Sequence, residues 1–400
     1  MAERRDLLIE LGTEELPPTA LARLSQAFAD GFRERLEQNR LAYDGVESYA
    51  TPRRLALLVS GLAHAQPDQQ VMRKGPAVQA AFDAQGEPTK AALGFARSCK
   101  VEVSDLQTEE TKKGAWLVFR SEQPGKPVAE LVAPMAQEAL DGLPIPKRMR
   151  WGDKDDEFVR PVHWSVVLYG DEVLPGSFYG AKAGRETRGH RFHQPGAISL
   201  GSAAEYVETL RGEGKVEPDF GRRREMIQAQ VTAVAQERGG VAVIEPALLD
   251  EVTALCEWPT AVIGGFDEKY LDVPAEALIE TMQKNQKYFP VRTAQGALLP
   301  LFITVSNIES REPDQVRAGN ERVIRPRFAD AAFFWKQDLK IPLEDFAPRL
   351  ETVVFQAKLG TVAEKSARVA QIARYIAGLT GLDEDLAARA AHLAKCDLMT

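Results

Sequence analysis

The chain has 400 residues, 44% of them hydrophobic and 27% charged, the balance of an ordinary globular protein and enough length for about two to three domains. No apolar run reaches the ~18 residues of a membrane span, MAERRDLLIEL lacks the long apolar region and small-residue cleavage site of a secretion signal, and Cys99, Cys256 and Cys396 are odd in number with no CxxC pair, which argues against a zinc site or a disulfide framework and for a reducing cytoplasm. The formal net charge is −8, so any contact with nucleic acid has to come from local basic patches.

Leu7 to Pro18 opens with the strand-tolerant Leu7, Leu8 and Ile9, turns through Gly12 and Thr13, sets Glu14 beside Glu15 and stops at Pro17-Pro18. This predicts a strand, a turn and a helix start. The two carboxylates have two readings: acidic residues near the positive end of a helix dipole, or a contact point for a partner. Ala20 to Leu41 carries Leu21, Leu24, Phe28, Phe32 and Leu36 on one helical face. Val46 to Leu62 is strand-like and interrupted at Thr51-Pro52. Arg53 and Arg54 follow, either as solvated or paired charges at a strand start or as contacts to phosphate or to a partner's carboxylate. Residues 65–90, rich in Pro, Gly and Gln, predict a connecting excursion into a helix over 89–100. A strand at 116–119 and a helix at 128–140, closed by Gly142 and Pro144, come next.

From Pro146 the texture changes. PKRMRWGD sets Lys147, Arg148 and Arg150 beside Trp151. That is a pattern for single-stranded RNA, with charge on phosphate and a ring for stacking, and equally one for a strand edge with snorkelling side chains. HWSVVLY predicts a buried strand, with His163 read as a core residue. KAGRETRGHRFH (182–193) is the densest cationic stretch: Lys182, Arg185, Arg188 and Arg191 face only Glu186. Gly184 and Gly189 would let a backbone approach an anion. His190 and His193 have no third His or nearby Cys, which argues against a metal. Residues 220–239 predict a helix that starts on Arg222, Arg223 and Arg224. Cations there oppose the dipole and call for acidic neighbours or an RNA anion. Residues 258–310 alternate strand-like runs with the helix PAEALIETMQKNQ. Arg317 to Arg327, with Arg322, Arg325 and Arg327, is a further basic stretch, and Phe333, Phe334 and Trp335 are read as core. From about Leu343 the pattern is helical, broken at Gly360.

No catalytic signature stands out. Phe119-Arg120-Ser121-Glu122 fits the short FRxE pattern of class II synthetases, but the Gly-rich stretch ending in Arg that would complete an ATP site is absent. There is no GxxxxGK[ST] loop and no GxSxG elbow.

Several stretches in a fixed order carry a resemblance: ELGTEELPP (10–18), ATPRRLAL (50–57), RWGD (150–153), FVRPVHW (158–164), RGHRFH (188–193), NQKYFP (285–290), GNERV (319–323), DAAFFWKQD (330–338) and VVFQAKLGTVAEKSAR (353–368). With them the chain resembles the β subunit of the bacterial two-subunit glycyl-tRNA synthetase, specifically the N-terminal part of that longer subunit. The resemblance implies a cytoplasmic α2β2 ligase that attaches glycine to tRNA-Gly. Its α subunit binds ATP and Mg2+ and makes glycyl-adenylate. Its β subunit binds tRNA-Gly and the α subunit and has no cofactor, metal or catalytic residue of its own. The anticodon-binding module would lie beyond the part seen here. The implied fold is multidomain α+β with mixed sheets: an N-terminal α+β domain over 1–145, a module over 146–342 resembling the editing-type fold of the phenylalanyl-tRNA synthetase large subunit, and over 343–400 the start of a helical segment like the HD phosphohydrolases. Editing activity is not implied, since a pocket sized for glycine already rejects larger side chains. The adjacent His-Asp pair of HD enzymes is not present; His392 and Asp397 stand apart.

The candidate tRNA contacts are Arg53, Arg54, Lys147, Arg148, Arg150, Lys182, Arg185, Arg188, Arg191, Arg222, Arg223, Arg224, Arg322, Arg325 and Arg327. The candidate α-subunit contacts are Glu14 and Glu15. The alternatives are an assembly scaffold without RNA contacts in this stretch, and a stand-alone HD-type or editing hydrolase.

Overall fold

A computed structural model describes residues 3–83, 86–111 and 114–400. The architecture is mixed α+β, in two compact units. The first takes the chain up to Ala229 with Pro246–Thr260 and Ser306–Glu309; the second takes Gln230–Glu245, Ala261–Val305 and Ser310–Thr400.

The first unit is built on β1 (Arg4–Thr13), α1 (Pro18–Gln38), β2 (Gly45–Thr51) and β3 (Arg54–Ala63). β1 pairs antiparallel with β3 on one edge and with the strand Val162–Tyr169 on the other, inside a seven-stranded sheet. A strand with neighbours on both edges and cover on both faces needs an apolar run rather than alternation, and Leu7 to Leu11 supplies it. Leu7, Ile9 and Leu11 pack with Phe28, Phe32 and Leu36 of α1. Leu8 packs on the opposite face with Val166, Leu168, Tyr206 and Leu210. Glu10 shares the parity of Leu8, so the one charged residue of the run is driven into the second core, where it is 1% exposed.

The helical face expected over 20–41 is the buried face of α1, and the interruption at Thr51-Pro52 is the turn between β2 and β3. The excursion expected over 65–90 differs in part. Gln69–Ala77 is a strand, β4, followed by a short helix α2 (Val78–Ala81) and then α3 (Lys90–Cys99). Residues 84 and 85, within the same stretch, lie outside the described residues. β4 pairs with β6 (Gly114–Gln123), which also pairs with β5 (Gln107–Thr111). The sheet packs on Ala81, Ala92 and Leu117 among others, while β4 itself mixes half-buried and exposed positions with no fully buried residue, so it shows no apolar run to betray it. α4 (Val128–Asp141) closes the first core with Val132 and Met135.

The second unit has a four-stranded sheet ordered Val241–Ala242, Phe289–Arg292, Leu298–Ser306, Thr260–Gly265. Tyr288 stacks on Phe302 with ring centroids 4.6 Å apart, and its hydroxyl donates to Asn320 Oδ1 at 2.7 Å, which brings NQKYFP against GNERV. The helix Pro313–Asp338 buries only Ile324 and Phe328. Phe333, Phe334 and Trp335, expected in a core, are 56%, 62% and 36% exposed; they project from the last turns of that helix, where Phe333 and Phe334 meet edge to face with ring centroids 5.4 Å apart. Residues 343–352 form a 3-10 segment rather than an α-helix; Pro342 caps its start, and Pro348 inside it lacks the N–H an α-helix would use. Residues 357–359 then turn a small hairpin whose second strand opens at Gly360, at φ +86°, before the helix Val362–Thr380 starts on a Thr361–Glu364 capping box.

Gly12 lies under the Trp164 ring, and any Cβ there would overlap it. Gly12→Ala is expected to destabilise the first unit by about 1–3 kcal/mol, the usual cost of overpacking. The measurement is the urea midpoint followed by tryptophan fluorescence; an unchanged midpoint would mean that the indole moves aside freely.

Candidate functional site

Four of the sequence motifs converge in the first unit on a buried group of two arginines and two glutamates. Arg54, with no exposed surface, donates to Thr51 Oγ1 (3.1 Å), Thr187 Oγ1 (3.3 Å), the Arg188 carbonyl (2.8 Å), and both Glu10 and Glu257 (3.4 Å each). Arg53 meets Glu257 Oε2 at 2.7 Å and the Gly189 carbonyl at 2.8 Å. Glu10 accepts from Trp164 Nε1 at 2.7 Å and from Thr187 Oγ1 at 2.8 Å. The four charges sum to zero and every one is hydrogen-bonded, the condition under which buried charge is tolerated. Burial works to raise Glu257, but Arg54 and Arg53 beside it hold its carboxyl below the usual range.

The loop tied down by this group reaches the surface. With the carbonyls of Arg188 and Gly189 held from beneath, Arg191 and Phe192 point outward, and Phe192 is 74% exposed. Arg191 pairs with Glu14 at 3.0 Å, and His163 meets the other Glu14 oxygen at 3.1 Å. Partial burial opposes ionisation of Glu14, yet Arg191 and His163 keep its carboxyl low. Glu14 is therefore not a helix-dipole residue: α1 begins at Pro18 with no acid in its first turn. Glu15 is exposed. His163, expected in the core, sits at the exposed rim, because its strand alternates and Val162 takes the inward position.

His190 is buried beneath the loop. Nε2 lies 2.6 Å from the Asn307 carbonyl, and Nδ1 accepts the backbone N–H groups of Phe192 and His193 at 3.2 Å each. Nε2 must therefore carry the proton, and Nδ1 has no room for a second. Burial lowers the pKa of His190, against the pull of Glu257. His193 Nε2 accepts from the Glu309 N–H at 3.0 Å.

The sequence-nominated cations fall into distinct settings. Arg53, Arg54 and Arg223 are buried, and phosphate has no route to the last two, which show no exposed surface. Arg223 donates to the carbonyls of Thr253, Glu217 and Ala50, and burial brings its pKa down to about 10. Arg222 pairs with Glu217 and Arg224 with Asp250, so each cation that opens Phe220–Glu237 has a protein partner. Arg150 pairs with Asp155 and Glu157. Among the described residues Arg185 and Arg148 reach only backbone carbonyls. Lys147, Lys182 and Arg188 are exposed with no polar partner among the described residues, as are Arg322 and Arg327 in the second unit. Arg325 lines a cleft there with Lys269 and Glu321. Arg120 of the FRxE match pairs with Glu109 at 3.0 Å, its own side chain half exposed.

Sequence reading missed Glu10, Glu257, Thr187, Asn307 and Phe192. Glu10 carried a signal, a lone carboxylate in an apolar strand. Glu257 lies 203 positions from its Arg54 partner, and no local pattern links them.

This is an α+β protein in which sequence motifs from distant segments assemble into one supported surface loop. The chain belongs to the glycyl-tRNA synthetase beta subunit family, which it matches over residues 7–400. It is similar to the glycine–tRNA ligase beta subunits of Hahella chejuensis (52% identical over 396 residues, 99% of this chain), Marinobacter nauticus (53% over 397, 99%) and Chromohalobacter salexigens (53% over 394, 98%). It spans 57% of the length of each of these relatives.

Two outcomes follow from the geometry. Glu257→Gln leaves two buried guanidiniums sharing one carboxylate, and a loss of about 3–5 kcal/mol in urea unfolding is expected, the cost of breaking a buried pair. A loss below the resolution of the titration would show that Arg53 and Arg54 are satisfied by carbonyls alone. His190 binds its proton later in the folded protein than in the unfolded chain, so its contribution is complete above pH 6.5 and falls as pH drops below that value. Unfolding midpoints compared at pH 7.5 and pH 5.5 should fall less for His190→Gln than for the natural chain; an equal fall would assign the acid sensitivity to other groups.

Proposed function

We propose that this chain works as the beta-subunit part of a cytoplasmic α2β2 glycine–tRNA ligase. It binds tRNA-Gly and the catalytic alpha subunit, while ATP and Mg2+ are handled on the alpha subunit and this chain supplies no catalytic group. The observation that carries this reading is the family match over nearly the whole chain, together with the meeting of ELGTEELPP, ATPRRLAL, FVRPVHW and RGHRFH at one place. The likeness of 146–342 to an editing-type module and of 343–400 to an HD-type helical segment belongs to the same reading.

Exposed cations without a carboxylate partner are the ones that gain by meeting phosphate. Lys182 and Arg188 meet that condition beside the supported loop, and Phe192 adds a ring on which an unpaired base can stack. Glu14 and Glu15 form the adjoining face for the alpha subunit.

The test is tRNA-Gly binding at several salt concentrations, with aminoacylation on added alpha subunit as a second readout. Lys182→Ala with Arg188→Ala is expected to lower tRNA affinity and to reduce the salt slope by about one per lost phosphate contact. Unchanged affinity and slope would remove this patch from the RNA surface. Retained alpha-subunit binding with no tRNA binding by the natural chain would favour the scaffold instead.

A further inference from the structure

A cleft of about 630 Å3 opens in the first unit between the start of α1 and the segments around residues 145 and 160. Its size is that of a site for a ligand or an anchoring side chain. The floor is aliphatic, with Leu24, Ile145, Val159 and three prolines, and among the described residues no aromatic ring or carboxylate lines it. Four cations surround it: Arg23, Lys147, Arg148 and Arg160. None has a carboxylate partner among the described residues. Arg148 donates to the carbonyls of Asp141 and Glu157, Arg160 to those of Glu15 and Val159, and Arg23 reaches the Pro144 carbonyl. Lys147 has no polar partner among the described residues.

Bonds to neutral carbonyls fix a guanidinium without cancelling its charge. Three of the four cations are bonded in this way, Arg148 and Arg160 by two carbonyls each and Arg23 by one, so little side-chain freedom is lost when an anion arrives. In a chain of net charge −8, four uncancelled cations around an apolar floor describe their ligand by complementarity. It carries several negative charges and one bulky apolar group. RNA fits less well, since an unpaired base is held by stacking on a ring and this floor has none.

We infer that the cleft docks an acidic peptide segment of the alpha subunit, with an apolar side chain seated on the Leu24–Ile145 floor and carboxylates against Arg23, Lys147, Arg148 and Arg160. The inference rests on the alpha-subunit partnership proposed above and adds the place and the chemistry of the contact. It assigns Lys147 and Arg148 to protein rather than to tRNA.

The experiment pairs charge reversal with crosslinking. Arg23→Glu with Lys147→Glu changes two exposed side chains outside the buried charge group, and an unaltered melting curve confirms the fold. The double variant is expected to weaken alpha-subunit binding by about tenfold or more, with tRNA-Gly affinity unchanged. A benzoyl-phenylalanine at Thr19, on the cleft wall, should crosslink to an alpha-subunit peptide rich in Asp and Glu. Full-strength alpha-subunit binding by the double variant, with no crosslink from position 19, overturns the inference and leaves the functional reading standing. Loss of tRNA affinity with alpha-subunit affinity retained overturns it in favour of an RNA contact. Failure of the natural chain to bind the alpha subunit at all overturns both.

Discussion

The buried group of Arg53, Arg54, Glu10 and Glu257 is the constraint on which the first unit depends. Desolvating four charges is costly, and their mutual attraction offsets this only when each is fully hydrogen-bonded. Here that takes Thr51, Thr187, the Trp164 indole and two backbone carbonyls. With the four charged residues themselves, these come from five separate stretches of chain, so the group forms only when the central strand, its two neighbours, the loop at 188–193 and the segment at 257 are all in register. A buried ionic group of this kind adds little net stability over apolar packing. Its effect is positional, because a one-residue slip of β1 would turn Glu10 into the first core and leave Arg54 without it.

The same interactions decide what the surface presents. The guanidiniums of Arg53 and Arg54 hold the Gly189 and Arg188 carbonyls, and His190 anchors the next turn through the Asn307 carbonyl. The loop is thus supported at three consecutive residues from below. A loop held this way keeps Arg191 and Phe192 outward at low conformational cost, which is the condition for a contact surface that need not be ordered on binding. Glu14 completes the arrangement by pairing with Arg191 from the end of β1.

How far the sequence spoke depended on the range of the interaction. Helical faces such as Leu21 to Leu36, and the strand break at Thr51-Pro52, are set by neighbours in sequence and were readable from it. β4 was not, because its partner β6 lies about forty to fifty residues away and the strand, nowhere fully buried, carries little apolar pattern. The same limit governs the site. Arg53, Arg54 and Arg223 look like any other cations in the sequence, and the carboxylates and carbonyls that bury them come from distant segments. Arg222 and Arg224 flank Arg223 and find their own carboxylates. Sequence could state that three cations at a helix start need an answer; only the fold shows that protein groups give it.

A cation's partner, more than its presence, determines whether a surface attracts anions. In this chain the arginines divide by what they touch. Those paired with carboxylates, such as Arg150, Arg222 and Arg224, contribute little field beyond a few ångströms, since their charge is cancelled locally. Those bonded to carbonyls, such as Arg148, Arg160 and Arg185, are as firmly placed but keep their full charge. Against an overall charge of −8, positive potential therefore gathers where carbonyl-bound arginines and unpaired lysines lie together rather than wherever basic residues are dense in the sequence. This is why the cleft beside Lys147, with four cations from three separate segments, is electrostatically more open than the longer run of arginines at 222–224.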